Sequence, residues 1–407
     1  MAETPIVVVG AGAAGLMAAI FAASSARPVL LLERTRDGGR KILISGGGRC
    51  NVLPSRLHPD QFITESSPNT LKKMLLSWPL AEQQRYFEKD LGIALAVEAA
   101  TGKLFPVSNR ARDVRDTLVQ RAVRRGVSVR FDTTVTSLAA EAGAWRVGLR
   151  DGTVLNAAAV VIASGGLSVP TTGSDGTGLR ILEGLGHTVH ATYPALTPLL
   201  EHPPRHAALA GVSLDVTIEA PLPRGRFTTH GGFLFTHRGY SGPAVLDISH
   251  LAVRAQREQR PQPLFVRWTR LEAHEWDAQL QQAGAGAVRP LLRRELPTRL
   301  ADTLLADAGI DPERTLATLR REERVRLVQK LTRYELPWTG DEGYQKAEVT
   351  GGGVALAEID PLSLESRLHA GLFLCGELLD AFGPIGGYNF AWAWATGRAA
   401  GIGAGKR

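Results

Sequence analysis

The sequence predicts an α/β chain in which one domain is assembled from both ends of the polypeptide and a second is inserted between them. Three observations carry that expectation. The first is Pro5-Ile-Val-Val-Val-Gly-Ala-Gly-Ala-Ala-Gly15, an alanine-rich helical run and Pro28-Val-Leu-Leu-Leu-Glu33, which together read as a Rossmann-type βαβ unit. The second is a composition shift at Pro194 toward Pro, Gly and short alternating runs. The third is the return of glycine-rich turns in the last sixty residues.

In the opening unit Gly10 permits the turn out of the strand, Gly12 lets backbone approach a pyrophosphate, and Gly15 lets the helix lie close to the sheet. The helix is expected over Ala13–Ala26, so Ala13 and Ala14 offer the free N–H groups of its positive end to phosphate. Glu33 lies eighteen residues past Gly15, where a carboxylate accepts from a ribose hydroxyl. The unit selects an ADP-containing dinucleotide and leaves NAD, NADP and FAD open.

The 407 residues suffice for two or three domains, and 44% apolar with 21% charged residues describes an ordinary globular chain. The net charge of +7 suits steering of anionic substrates, but a basic balance alone does not establish nucleic-acid binding, which is the disfavoured partner. Cys50 and Cys375 lack metal-ligand spacing and suggest a reducing compartment; without a basic signal-peptide region or an apolar run of eighteen residues, a cytoplasmic protein that neither enters nor crosses a membrane is expected.

After Glu33 comes Arg34-Thr-Arg-Asp-Gly-Gly-Arg40-Lys41-Ile-Leu-Ile-Ser45-Gly46-Gly47-Gly48-Arg49-Cys50-Asn51, read as a loop whose exposed N–H groups, cations and neutral polar side chains suit a pyrophosphate or the polar edge of a ring. The string Lys41–Asn51 resembles the signature of the BaiN-like or aminoacetone-oxidase-like bacterial FAD-dependent oxidoreductases, with Gly47 where many members carry Asn. The resemblance implies FAD as cofactor and a glutathione-reductase-like FAD-binding fold.

Pro68–Leu91 and Asp113–Arg125 read as helices, Gly102–Asn109 as a loop between them, and Val127–Phe131 as a strand, with Val135 following. Asp151-Gly152 between Trp145–Leu149 and Val154–Leu155 signals a hairpin. The apolar strand Ala157–Ala163 ends in Ser164-Gly165-Gly166, and by the family resemblance Ala163, Ser164 and Gly165 close over the cofactor. The pattern continues through Ser168 and Asp175 into a helix at Gly178–Gly186.

The inserted domain is expected at 191–346, with β parts at 191–267 and 335–346 and a helical part at 268–334; residues 1–190 and 347–407 form the FAD domain. Gly231–Pro243 leaves a substrate-facing loop and a structural turn equally open, with His237 its candidate side chain and Pro243 opening a short helix. A helix is expected from Asp311-Pro312, its polar face carrying Arg314, Arg320, Arg321, Arg324, Arg326 and Lys330 and read as solvated.

Near the C-terminus, Glu348-Val-Thr350-Gly-Gly-Gly353 is a glycine-rich turn and Gly371–Glu377 a short strand ending in Gly376-Glu377. The resemblance assigns Glu377 to the ribityl chain. Gly383-Pro-Ile-Gly386-Gly387-Tyr388-Asn389 opens a helix, Phe390–Ala400, whose positive end suits the anionic edge of a reduced flavin. Neither a Ser/His/Asp arrangement nor a metal cluster is evident, so the flavin carries the hard step.

The expected activity is hydride exchange between flavin N5 and a small organic substrate, as enone reduction or amine oxidation, with Tyr388, His237 and Thr350 as substrate-contact candidates. No second dinucleotide fingerprint is visible, and NAD(P)H stays open as a transient electron donor. The alternative is a flavin-dependent RNA-modification or RNA-binding protein using the basic insertion. Oligomeric state is not legible.

Overall fold

The computed structural model describes residues 3–141, 143–281 and 286–407. It divides into two compact units, Met1–Pro194 with Glu348–Arg407, and Ala195–Ala347. The first is built on a five-stranded parallel sheet in the order Leu372–Leu374, Ala159–Ile162, Ile6–Val9, Val29–Leu32, Ser128–Arg130. Its central strands are continuous Val, Ile and Leu runs because they are covered by neighbouring elements, among them the helices Ala13–Ala22 and Tyr388–Ala404, and Val160, Val161 and Phe373 are wholly buried. An antiparallel meander, Val135–Glu141, Ala144–Leu149 and Val154–Ala157, adjoins this sheet, and Trp145 Nε1 ties it to Ala370 O at 3.1 Å.

The glycine fingerprint is dictated by close approach. A Cβ on Gly15 would stand 1.7 Å from Gly10 O, and Gly10 itself has φ +101°. The following helix, Ala13–Ala22, is buried along almost its whole length and stops four residues before the expected Ala26, since the chain must turn before Pro28 to begin the second strand. Against it lies the C-terminal helix Tyr388–Ala404, where a Cβ on Gly397 or Gly401 would stand 2.3 Å from Ala14 O or Ala18 O respectively.

Several local expectations change. The segment after Lys41 is not a loop: Arg40–Gly48 is a short helix kinked at Ser45–Gly47, its three glycines at positive φ. Gly102–Asn109 contains a strand, Lys103–Pro106, which pairs with Leu53–Pro54 and Leu95–Glu98. The expected helix Pro68–Leu91 is broken before Pro79 into Pro68–Leu75, Leu80–Arg85 and a π turn at Tyr86–Asp90.

The second unit is a seven-stranded antiparallel sheet around the hairpin Ser213–Pro221 and Arg226–Phe235, with Pro243–Arg257 packed on it. Pro243 does open a helix, but one of fifteen residues rather than a short one. Phe233, Phe235, Tyr240, Trp268 and Trp276 fill the core. The helix expected from Asp311 begins only at Arg321, because Asp311 Oδ1 accepts from Glu313 N at 2.8 Å and closes a turn. The arginine face is partly neutralised, since Arg314 binds Glu323 at 2.8 Å and Arg324 binds Asp277 at 2.7 Å.

Gly397→Ala should lower stability by about 1–3 kcal/mol by forcing the two helices apart, despite alanine's better helix propensity. Gly184→Ala, where an added Cβ meets nothing within 4 Å, should leave the urea midpoint unchanged or raise it. Equal midpoints for both variants would contradict the close-packing account.

Candidate active site

At the first helix the site is open where a diphosphate needs space. A Cβ on Gly12 would meet nothing within 4 Å, and the helix beginning at Ala13 has no side-chain cap and no acid in its first turn. Ala14 and Gly15 are buried and Ala13 is half-buried. Glu33 is buried and already organises the turn: Oε2 accepts from Ala11 N at 2.7 Å, and Oε1 accepts from Thr35 N at 2.8 Å and Thr35 Oγ1 at 2.7 Å.

Arg34 and Arg40 reach across to residues 171–175. Arg34 pairs with Asp175 at 2.5 Å and donates to Gly173 O, while Arg40 binds Asp37 and donates to Thr171 O at 3.3 Å. Burial alone would raise the Asp175 pKa, but hydrogen bonds from Arg34 and Thr177 and the Arg34 charge overcome it and bring it to about 2. Val135, which opens the meander, is buried; after the strand Ala159–Ile162, Ala163 is buried, Gly165 has φ +73°, and the buried Ser164 hydroxyl has no partner.

A second polar cluster joins four distant segments. Lys41 Nζ donates to Glu377 Oε2 at 2.6 Å and to Ser168 Oγ at 2.5 Å. Glu377 Oε1 accepts from Ser168 Oγ at 2.5 Å, Thr350 N at 3.1 Å and Thr350 Oγ1 at 3.0 Å. The Thr350 hydroxyl also accepts from Leu167 N at 2.7 Å and Ser168 N at 3.1 Å, which exhausts its one donor and two acceptor positions. Thr350 is therefore placed to position Glu377 and not to contact substrate. Gly166 is required beside it, as a Cβ there would lie 2.4 Å from Thr350 Oγ1.

The third part surrounds the start of the C-terminal helix. Gly386 and Gly387 have φ +122° and +94°, and no cap or first-turn acid follows. Asn51 is buried and, in the amide orientation its neighbours require, donates to Leu53 O at 3.1 Å and accepts from Gly387 N at 3.0 Å. Asn389 closes a local ring with Gly383, donating to its O and accepting from its N, each at 2.9 Å. Gly376 N donates to Thr396 Oγ1 at 3.0 Å. Tyr388 is half-buried and its hydroxyl donates to Gln61 Oε1.

In the kinked segment Ser45 Oγ donates to Ile42 O at 2.8 Å, Gly46 and Gly48 are exposed, and Arg49 pairs with Glu98 at 3.0 Å above the Phe105 ring. Cys50 is fully buried, and burial pushes its thiol up to about 12 against a weaker opposing bond from Ser45, so it supplies neither a thiolate nor a surface contact. His237 belongs to the other unit, exposed at the turn after Phe235. Ser168, Gln61 and Thr396 join the site without having been singled out by spacing; Ser168 alone lay in a string whose family pattern could have marked it.

A family profile described as HI0933-like protein Rossmann domain matches residues 4–403. The chain belongs to this family. It is 33% identical over 397 residues to ribosomal RNA dihydrouridine synthase of Escherichia coli K12, covering 96% of this chain and 95% of the relative. It is 30% identical over 408 residues to 3-dehydro-bile acid delta(4,6)-reductase of Clostridium scindens, covering 98% of each. Among solved structures, the fold is similar to a flavocytochrome c3 fumarate reductase in its open conformation, with TM-score 0.51 and 18% identity over 99% of this chain and 78% of that one. A 3-ketosteroid-delta4-(5alpha)-dehydrogenase from Rhodococcus jostii RHA1 gives TM-score 0.50 and 17% identity over 100% and 97% of the two chains.

The protein is an FAD-dependent oxidoreductase with a Rossmann-type FAD-binding fold. Its residues fit the cofactor: an uncapped helix end with free space at Gly12, an orphaned buried hydroxyl at Ser164, and a second uncapped helix end at Gly387. Among the described residues no helix is long and apolar enough to cross a membrane.

Because the Asp175 pKa is depressed by folding, its pairing with Arg34 stabilises the fold fully above the ordinary carboxylate value of about 3.9 and is lost as pH falls toward 2. Hydrogen exchange at residues 170–176 should therefore quicken over that interval in the native protein and be fast throughout in Arg34→Gln; identical profiles would refute the pairing. Cys50 should resist iodoacetamide at pH 8 until urea unfolds the chain, and rapid native alkylation at Cys50 would contradict its burial.

Proposed function

We propose that the chain reduces a carbon–carbon double bond conjugated to a carbonyl, and that the bond is C5=C6 of a uracil base in ribosomal RNA. The observation that carries this reading is that full-length relatives with unlike substrates have one bond chemistry in common. Dihydrouridine is uridine saturated at C5–C6, next to the C4 carbonyl, and a delta(4,6) bile acid with a 3-oxo group carries the same conjugated motif. That chemistry favours reduction over amine oxidation.

Bound FAD supplies the hydride equivalent from N5. The chain's own residues do the rest. The N-terminus of Tyr388–Ala404 is assigned to the pyrimidine edge of the flavin, where the positive end of the helix dipole favours negative charge. Lys41, Ser168 and Thr350 hold Glu377 in one orientation at the ribityl side. Tyr388 Oη, held by Gln61, is assigned the proton that goes to the carbon next to the carbonyl. Of the three substrate-contact candidates it has an accessible hydroxyl beside this helix end, whereas the Thr350 hydroxyl is saturated and His237 lies in the other unit.

The basic surplus does not single out the insertion: residues 195–347 carry 21 Lys and Arg against 18 Asp and Glu, and the remainder carries 26 against 22. An RNA partner would thus meet a positive charge shared by both units. The Clostridium relative favours a second reading, a free enone of steroid type.

Dithionite-reduced protein, mixed anaerobically with deproteinised ribosomal RNA, should reoxidise its flavin in a single turnover and add two hydrogens to a uridine detected by nuclease digestion and mass spectrometry. Tyr388→Phe should keep its FAD and slow that step by about 10²–10⁴-fold. Reoxidation by a 3-oxo-4-ene steroid and not by RNA would replace the first reading with the second, and reoxidation by neither would remove both.

A further inference from the structure

We propose that Lys103 is a second cationic contact for the pyrimidine edge of the reduced flavin, acting beside the N-terminus of the C-terminal helix. The proposal rests on the assignment of that helix end to the flavin made above.

Strand register brings Lys103 there. Lys103 pairs directly with Pro54, and the Leu53-Pro54 backbone presses on the helix entrance so closely that a Cβ on Gly387 would stand 2.5 Å from Leu53 C and 2.8 Å from Pro54 N. On the adjoining glycine the Lys103 stem itself is the neighbour: Cε and Cγ lie 3.7 and 3.8 Å from where a Gly386 side chain would begin. The half-buried stem is thus laid against Gly386, the first of the two glycines that open the helix.

Two acids, Glu98 and Glu348, lie within the field of its charge, but neither pairs with it among the described residues. Glu98 faces Lys103 across the strand pair, yet one Glu98 oxygen takes Arg49 at 3.0 Å and the other takes Thr101 at 2.6 Å. No hydrogen bond or ion pair engages the Lys103 ammonium among the described residues.

A lysine at this end of a helix is electrostatically misplaced, because the helix dipole favours cations at the opposite terminus. The first turn, Tyr388-Asn389-Phe390, carries no acid to offset it. Lysine charge and helix dipole therefore add, and both are relieved by an anion at Gly386–Gly387. Two-electron reduction of a flavin places negative charge at N1 and O2, whereas the oxidised ring is neutral. The contact is stronger for the reduced form, so Lys103 raises the flavin potential.

The test uses the FAD-loaded protein and two readouts other than turnover: the midpoint potential, and the affinity of the oxidised flavin for sulfite, whose adduct is anionic. Lys103→Met should weaken sulfite binding about tenfold, the size of one charge-assisted contact, and lower the two-electron potential by about 30 mV, the equivalent of that tenfold change. Lys103→Arg should restore both. Phe390→Glu, which puts an acid in the first turn, reports on the helix end separately and should lower both quantities. If Lys103→Met retains its FAD and changes neither quantity while Phe390→Glu lowers both, the Lys103 proposal fails and the helix assignment stands. If neither variant moves either quantity, the helix assignment fails and the proposal falls with it. Should Lys103→Met lose FAD, Lys103→Arg and Lys103→Gln are compared instead, and equal potentials in those two would overturn the proposal.

Discussion

The backbone contact between the first and last helices governs the FAD-binding unit. Gly397 and Gly401 let the C-terminal helix approach Ala14 and Ala18 so closely that a methyl group would collide with backbone oxygens. The N-terminus of Ala13–Ala22 is fixed by the fingerprint turn, where Gly15 has no room for a Cβ over Gly10. Bringing the second helix onto the first fixes the second uncapped N-terminus, at Gly387, relative to it. Two positive helix ends are then held in one rigid unit, suited to the diphosphate and to the ring of one extended cofactor.

Polar contacts hold the intervening segments to this frame. The Lys41, Ser168, Thr350 and Glu377 cluster joins the first quarter of the chain, the segment after the strand Ala159–Ile162, the strand Val349–Val354, where the sequence suggests a glycine-rich turn, and the short turn after the last strand. Lys41 and Glu377 are about one-quarter and one-fifth exposed, so their attraction is only partly screened, and removing either would leave a poorly solvated charge. Asn51 and Gly387 form another such join. The site's geometry is consequently a property of the folded unit, with no single segment containing it.

What was legible in the sequence follows from how local each signal is. Gly10, Gly12 and Gly15 announce themselves because the turn, the helix and the acid at Glu33 lie within one βαβ unit. The fold class and the FAD cofactor were readable from that unit and from the Lys41–Asn51 string, which the family match bears out. Arg40–Gly48 was misread because three glycines suggest a loop, whereas the helix is made before them, by Arg40–Ile44, and the glycines take the kink. Lys103–Pro106 was hidden by its proline and by the turn residues around it, and only pairing with the distant Leu53–Pro54 makes it a strand. No spacing could reveal that the Thr350 hydroxyl is consumed by Glu377, Leu167 and Ser168, since those partners lie 27 to 183 residues away.

The central claim is that both ends of the chain make one FAD site. It is tested most directly by releasing the cofactor from purified protein by denaturation and quantifying it by chromatography, in the native chain and in Gly12→Glu, where a carboxylate would occupy the open space at the first helix end. The account predicts about one FAD per native chain and none in the variant, with the variant still folded by circular dichroism. A native chain that neither contains FAD nor is stabilised by adding it, or a Gly12→Glu chain that retains a full complement, would contradict it.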